Sequence, residues 1–494
     1  MSMPVIWIDF EDILVHLETR SRPSGIQRLA FEVARELIAI APPGRVRFLR
    51  HARGGSGFRE IAFELAEAAF ATASGAGSTT GIQGPPRVLR SIVPPAEMSL
   101  PPSRMVGIWR RGASLLPAEV RLAAQRILLH QWQAFTAVPA LLRAIGRSVL
   151  RRPPARRGGA VETDASPDLV RMAAGDVLFG LAASWGTEHC QRVAVARREH
   201  GVRYAVLVYD LIPLVRPEFC VPAYSARFRE WVDAMLPMCD LPMAISHATR
   251  RDLEAYAARQ GVVLRAPVAV VPIGTSFSAP PANPDAAPPD PVLPPGSYVL
   301  FVSTIAAHKN HTLLLRVWRR LLEEMPVGRV PTLAFAGSIG WMVDDLLMQL
   351  ANSRFLDGNI VIVESPSDGA LESLYRGAMF TVFPSHYEGW GLPVVESLAL
   401  GTPCVAARAT SLPEAGGTLA RYFSPDDVGD ACQVIRGLIE DPAELAAWRA
   451  QVQAEFRPIA WRETARAMLA AIDAVVAGSR PSIASRVDAA DTAV

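Results

Sequence analysis

Lysine is almost missing from this chain. Of its 494 residues, 50 are basic, and only Lys309 is a lysine; the other 49 are arginines. Cysteine is scarce as well. Cys190, Cys220, Cys239, Cys404 and Cys432 are odd in number and form no CxxC pair. That pattern argues against a disulfide framework or a zinc site and fits reduced thiols in a cytosol. No run of about 18 uninterrupted apolar residues occurs, which excludes an ordinary membrane-spanning helix. The N-terminal Met-Ser-Met-Pro-Val-Ile-Trp-Ile-Asp has neither a basic region nor a cleavage site, so it does not read as a signal peptide. A net charge of +2 gives no sign of general nucleic-acid binding. There is no Asp-x-Asp motif and no His/Cys ligand cluster, so no metal is expected to be required.

Half of the residues are apolar, enough for substantial cores, and the length exceeds what one core usually fills. Two domains with insertions are expected. The clearest boundary is Ala279–Pro295, where eight of 17 residues are proline, a semi-rigid linker that cannot enter a sheet or a helix interior. Before it lies an N-terminal domain, 1–278, with strands expected at Val5–Ile8, Asp176–Phe179, Tyr204–Tyr209 and Met243–Ser246 and a helix at Ile26–Ile40. A poorly patterned insertion, about 70–166, interrupts it. From Arg104 to Arg157 that insertion carries 11 arginines against the single Glu119. Such a stretch reads either as a solvated, Arg-rich segment or as a patch for anionic phospholipid or a polyprenyl-diphosphate acceptor.

After the linker, residues 296–456 alternate short apolar runs with amphipathic helices. Strands are expected at Tyr298–Ser303, Thr332–Ala336, Ile360–Val363, Phe380–Phe383 and Cys404–Ala406. That alternation means a parallel sheet wound on both faces, an α/β class whose ligands bind at the carboxyl ends of the strands. A helix within 457–478 follows, and 479–494 reads as a disordered tail.

The most specific segment is Pro384-Ser-His-Tyr-Glu388-Gly389-Trp390-Gly391-Leu392-Pro393-Val-Val-Glu396. It places a glycine-rich loop after a buried strand and opens a helix at Pro393. Gly389 and Gly391 allow close backbone approach, and the helix N-terminus is a ready anion site. Glu388 and Glu396 can face one elongated ligand, and carboxylates accept hydrogen bonds from sugar and ribose hydroxyls. Lys309 stands at the end of another strand, in His308-Lys309-Asn310. A compact ammonium there is not interchangeable with the guanidinium used everywhere else in the chain.

Glu388 and Glu396, with the Gly-Trp-Gly-Leu-Pro between them, resemble the E-x7-E motif of family-4 retaining glycosyltransferases, in particular bacterial polysaccharide-synthesis mannosyltransferases. The resemblance is strongest over Tyr298–Gly417 and reaches most of the chain outside the insertion and tail. It implies the GT-B fold, two Rossmann-like doubly wound domains facing across a cleft. It implies that Glu388 contacts the donor sugar, that amides of Gly389, Trp390, Gly391 and Leu392 hold sugar and phosphate, and that Glu396 binds the nucleotide ribose. Similar enzymes carry Arg-Lys-Asn where this chain has His308-Lys309-Asn310, and their basic pair grips the donor diphosphate. Here the first cation is a histidine, whose charge depends on its surroundings; a neutral ring would donate a hydrogen bond instead. In the N-terminal part, Gly25 and Arg28 at a helix start would meet the donor phosphate from the opposite wall. Tyr209-Asp210-Leu-Ile-Pro resembles a His-Asp-Leu-Ile-Pro element; with tyrosine in the first place, Asp210 is the candidate for substrate contact. Ser367–Tyr375 and Ser411–Gly417 resemble loops near the nucleotide, His247 is structural, and Trp461 with the following helix would return to the N-terminal domain.

The implied activity is a retaining, metal-independent transfer of a hexose, plausibly mannose, from a nucleotide-diphosphate sugar. The acceptor would be a polysaccharide or lipid-linked oligosaccharide, no cofactor would be needed, and the enzyme would be cytoplasmic. The Arg-rich 104–157 would supply any peripheral contact with the inner face of the cell membrane. Two other readings stand beside it. One is a nucleotide-sugar epimerase of the same fold, although those lack the E-x7-E loop. The other is a catalytically silent module that binds nucleotide sugars or scaffolds an assembly complex.

Overall fold

The computed structural model describes residues 3–19, 25–52, 55, 57–74, 86–91, 169–183, 185–275 and 291–478. The Arg-rich 104–157, the linker up to 290 and the tail 479–494 lie outside them.

The first sheet holds β1 (Ile6–Asp9), β2 (Val46–His51), β3 (Phe58–Ile61), β5 (Val177–Gly180), β6 (Arg203–Val208), β7 (Leu241–Ala244) and β8 (Ala269–Val270). Its spatial order is β3-β2-β1-β5-β6-β7-β8, parallel except for the β2–β3 edge pair. All four residues of β1 are buried because both faces are covered. Ile6 and Ile8 point into one core, with Val33, Leu37, Phe179 and Met243, while Trp7 points into the other, with Leu178, Val206 and Trp231.

The second sheet runs β14 (Arg421–Phe423), β13 (Cys404–Ala407), β12 (Thr381–Phe383), β9 (Tyr298–Val302), β10 (Thr332–Gly337), β11 (Ile360–Glu364) and β4 (Arg87–Leu89). Here β4 departs from the expected organisation. It lies within the supposed unpatterned insertion, yet it pairs antiparallel with β11, Leu89 opposite Ile362 and Arg87 opposite Glu364. The start of that insertion also moves, because the helix Phe63–Ser74 runs through residue 70.

In each sheet the chain winds outward from a central pair of strands, β1 and β5 in the first, β9 and β12 in the second. The crevice at the carboxyl ends of such a pair is where doubly wound sheets hold ligands. Both sheets fall in one compact unit, whereas 344–357, with the helix Asp344–Asn352, belongs to another.

The last helix, Trp461–Val476, crosses back onto the first sheet. Trp461, Met468 and Ile472 join the same core as Ile6 and Leu37, and Arg45 pairs with Asp473. Gly274 is obligatory at this seam: a Cβ there would sit 2.8 Å from the Trp461 ring. Thr464 adds a hydroxyl that accepts from the Gly274 N–H at 3.0 Å.

Candidate active site

The turn after β9 and the loop after β12 are interlocked by backbone. Ala307–Lys309 is a single 3-10 turn, and Asn310 follows in the left-handed region at φ 60°. Asn310 tolerates that conformation, and its amide donates to the carbonyls of Pro384 (3.0 Å) and Pro425 (2.9 Å). The His386 N–H in turn donates to the His308 carbonyl at 2.9 Å. These bonds fix where the Lys309 side chain starts.

Lys309 Nζ then donates to both carboxylate oxygens of Glu388, at 2.7 and 2.8 Å. The two side chains are only 18% and 11% exposed, so each charge depends on the other rather than on water. Burial by itself would raise the Glu388 carboxyl, but the Lys309 ammonium outweighs it and holds the group below its ordinary range. Glu388 is therefore ionised. Lys309 follows β9 and Glu388 follows β12, so the two side chains reach the crevice from its two sides.

His308 does not supply a second cation. Burial and the adjacent Lys309 charge push its pKa down to about 4, so the ring is neutral near pH 7. It stacks on Trp341, with ring centroids 5.9 Å apart. The expected basic pair is reduced to Lys309.

The opposite wall comes from the first sheet. Gly389 lies so close to the end of β6 that a Cβ on it would sit 2.0 Å from the Tyr209 carbonyl oxygen and 3.1 Å from Asp210 Cβ. The Thr249 hydroxyl bridges the two loops, 3.2 Å from the Tyr209 carbonyl and 3.3 Å from that of Gly389. Asp210 accepts from the Ile212 N–H at 3.0 Å. Burial, with Glu388 adding repulsion, raises its carboxyl to about 6 against the partial relief of that hydrogen bond. Tyr209 takes no part in the cleft. It is buried, and its hydroxyl donates to the Leu181 carbonyl at 2.6 Å.

Further contacts join the sheets. Arg28 pairs with Asp368 at 2.7 Å, and Glu414 accepts from the N–H groups of His247 (2.7 Å) and Ala248 (2.8 Å) at the start of the helix His247–Arg259. A carboxylate suits that position because the first N–H groups of a helix lack internal partners. Glu396 is buried and accepts from the Tyr375 hydroxyl at 3.0 Å; burial raises its carboxyl, with Arg28 only partly offsetting.

Between these walls lies a cleft of about 1340 Å³. Of the expected site residues, Gly25, Arg28, Asp210 and His308 line it. Lys309 and Glu388 stand beside it as a pair. The side chains of Trp390 and Leu392 pack against the core of the first sheet. The helix opens at Leu392 rather than Pro393, with Gly391 before it at φ 124°, where a side chain would also meet Leu412. Glu396 lies beneath the surface. Sequence reading missed Asp12, Trp185, Tyr224, Ser303, Ser338 and Trp341, which also line the cleft. Most follow strand ends, a position that could have marked them.

Residues 292–454 match the family described as Glycosyl transferases group 1. The chain is 35% identical over 170 residues to the O-antigen chain mannosyltransferase B of Escherichia coli, covering 34% of this chain and 39% of that protein. It is 25% identical over 284 residues to the serotype-specific mannosyltransferase WbdA of Escherichia coli, covering 55% and 34%. The chain thus spans about two fifths or less of these relatives' own length. Among solved structures, Anabaena Alr3699/HepE in complex with UDP-glucose matches with a TM-score of 0.54 at 13% identity, over 96% of this chain and all of that one. The fold is therefore GT-B, and the matched segment holds every strand of its second sheet except β4.

Proposed function

We propose that this protein is a retaining glycosyltransferase that moves a hexose from a nucleotide-diphosphate sugar to a glycan or polyprenyl-linked acceptor. The observation that carries this reading is the Lys309–Glu388 pair, buried at the β9/β12 crevice, whose charges act on the buried carboxyl of Asp210. The two Escherichia coli relatives are both named mannosyltransferases, which supports mannose as the hexose.

A nucleotide sugar already holds a good leaving group, and the chemical task is to stabilise charge that develops on its diphosphate. In this reading the diphosphate takes over the Lys309 ammonium, and Glu388, released, accepts from the sugar hydroxyls. One preorganised donor of this kind contributes about 3–4 kcal/mol to the transition state. Lys309 does this alone, because His308 is neutral and contributes at most a hydrogen bond. No metal is assigned to the diphosphate, where the fixed cation takes that part. Glu396, oriented by the Tyr375 hydroxyl, is assigned to the ribose. Closure of the sheets through Gly389 and Tyr209 would keep water from the donor.

The test is release of nucleoside diphosphate from a panel of nucleotide sugars, with binding followed by thermal shift. The wild type should bind one donor and turn it over, whereas Lys309→Ala and Glu388→Ala should bind it with turnover lost. A wild type that binds a donor, transfers to no acceptor and hydrolyses nothing would replace this reading with that of a silent binding module.

A further inference from the structure

We propose that Asp9, His51 and His189 form a site for one divalent transition-metal ion of the zinc type, on the carboxyl rim of the first sheet and outside the cleft. Among the described residues this is the group of His, Cys, Asp and Glu side chains whose ligand atoms all lie within 4.8 Å of one another. None of the three lines the cleft.

Each ligand comes from a different element. Asp9 is the last residue of β1, His51 the last of β2, and His189 sits in the first turn of the helix Thr187–His200. Asp9 and His189 are buried, while the His51 side chain keeps 18% exposure and gives a path of entry. Asp9 Oδ2 lies 2.9 Å from His51 Nε2 and 2.8 Å from His189 Nδ1. His189 Nδ1, although so close and fully buried, makes no aligned hydrogen bond. An ion between the two would engage both this ring nitrogen and the Asp9 carboxylate.

The outer atoms of the set are already fixed by the fold. His189 Nε2 is 3.1 Å from the buried Tyr204 hydroxyl, and Asp9 Oδ1 accepts from the Glu11 N–H at 2.9 Å. The two imidazole rings are nearly parallel, 20° apart with centroids 5.7 Å from each other. Anchoring of the far nitrogen of a histidine ligand and the far oxygen of a carboxylate is the usual outer shell of a metal site. Two imidazoles with one carboxylate suit zinc and its neighbours rather than magnesium or calcium. Bonds of about 2.0–2.1 Å to an ion require ligand atoms roughly 3.3 Å apart in a tetrahedral shell. The observed separations are shorter by about half an ångström, which small ring rotations supply. Three protein ligands leave a fourth position for water. Such an ion would pin the start of the helix Glu11–Thr19, from which Asp12 and His16 reach the cleft.

The experiment uses the full chain, purified without a metal-binding tag, dialysed against buffered zinc and analysed for metal. One zinc per chain is expected in the wild type and in Glu388→Gln. The His51→Gln/His189→Gln variant should hold less than about a tenth of that. A metal-free wild type, or zinc retained by the double variant, would overturn the proposal and leave a hydrogen-bonded His-Asp-His network. Because the double variant could fail to fold, X-ray absorption at the zinc edge of the wild type gives a second reading. A shell of nitrogen and oxygen with two imidazoles supports the site, and a sulfur-containing shell places the zinc on cysteine and excludes it.

Discussion

The two sheets are wound on one plan and differ in how each builds its carboxyl rim. In the second sheet the chemistry sits in two short segments, His308–Asn310 and Ser385–Glu396, and its charges are paired with each other through Lys309 and Glu388. In the first sheet it is gathered from scattered strand ends, and its cleft-lining carboxylates, Asp12 and Asp210, are held above their ordinary range, chiefly by burial. At the cleft the Lys309–Glu388 pair is organised around charge, whereas Asp12 and Asp210 are reluctant to ionise. A rim that neutralises an anion and a rim that receives a neutral hydroxyl compound differ in this way.

Substitutions on each rim can break that contrast, and the strongest effect belongs to the charged one. Lys309→Ala should lower donor turnover by about 10²–10³-fold, the loss expected for one preorganised electrostatic donor. Steady-state release of nucleoside diphosphate checks it. Gly389→Ala comes next, because its Cβ would sit 2.0 Å from the Tyr209 carbonyl and the rims could not meet in the present register. A shift of that size in positioning costs roughly 10²-fold in turnover. Thermal denaturation should show the variant folded, so that the loss is one of alignment.

The uncharged rim is sharpened by Asp210→Asn. Burial raises this carboxyl from 3.8 to about 6, so the folded state holds its proton more tightly than the unfolded state does. The wild type then loses stability as pH rises from about 4 to about 6, and the penalty stays constant above that range. Asparagine carries no such penalty. The variant should be more stable than the wild type by about 1–3 kcal/mol at pH 7.5, with the gap closing below pH 4, as read by urea denaturation. The smallest effect is expected of Tyr209→Phe. Loss of its hydrogen bond to Leu181 should cost about 1–2 kcal/mol of stability and leave the Michaelis constant for donor unchanged.

The same contrast decides what could be read in advance. Strands such as Tyr298–Val302 and Ile360–Glu364 are buried on both faces and appear as apolar runs between helices, so the second sheet was legible. In the first half, β2 (Val-Arg-Phe-Leu-Arg-His) and β3 (Phe-Arg-Glu-Ile) are half-exposed near the sheet edge and carry charges that hide the pattern. No local signal could assign Arg87–Leu89 to the second sheet, since its pairing with β11 bridges more than half the chain. Lys309, Glu388 and Asp210 were legible as strand-end residues. The neutrality of His308 was not, because it comes from burial and a neighbouring charge. The packing of the Trp390 side chain against the first core was not legible either, because that core is assembled from distant segments. Asp9, His51 and His189 are separated by 42 and 138 residues and meet only through the topology.

The most direct measurement is the turnover of the cognate nucleotide sugar by Lys309→Arg, with donor binding followed in parallel. The charge is kept, but a planar fork replaces the compact ammonium that fits between the two oxygens of Glu388. A fall of about tenfold or more in turnover, with the donor still bound, is the predicted result. Turnover equal to the wild type would contradict the claim that this single lysine carries the site.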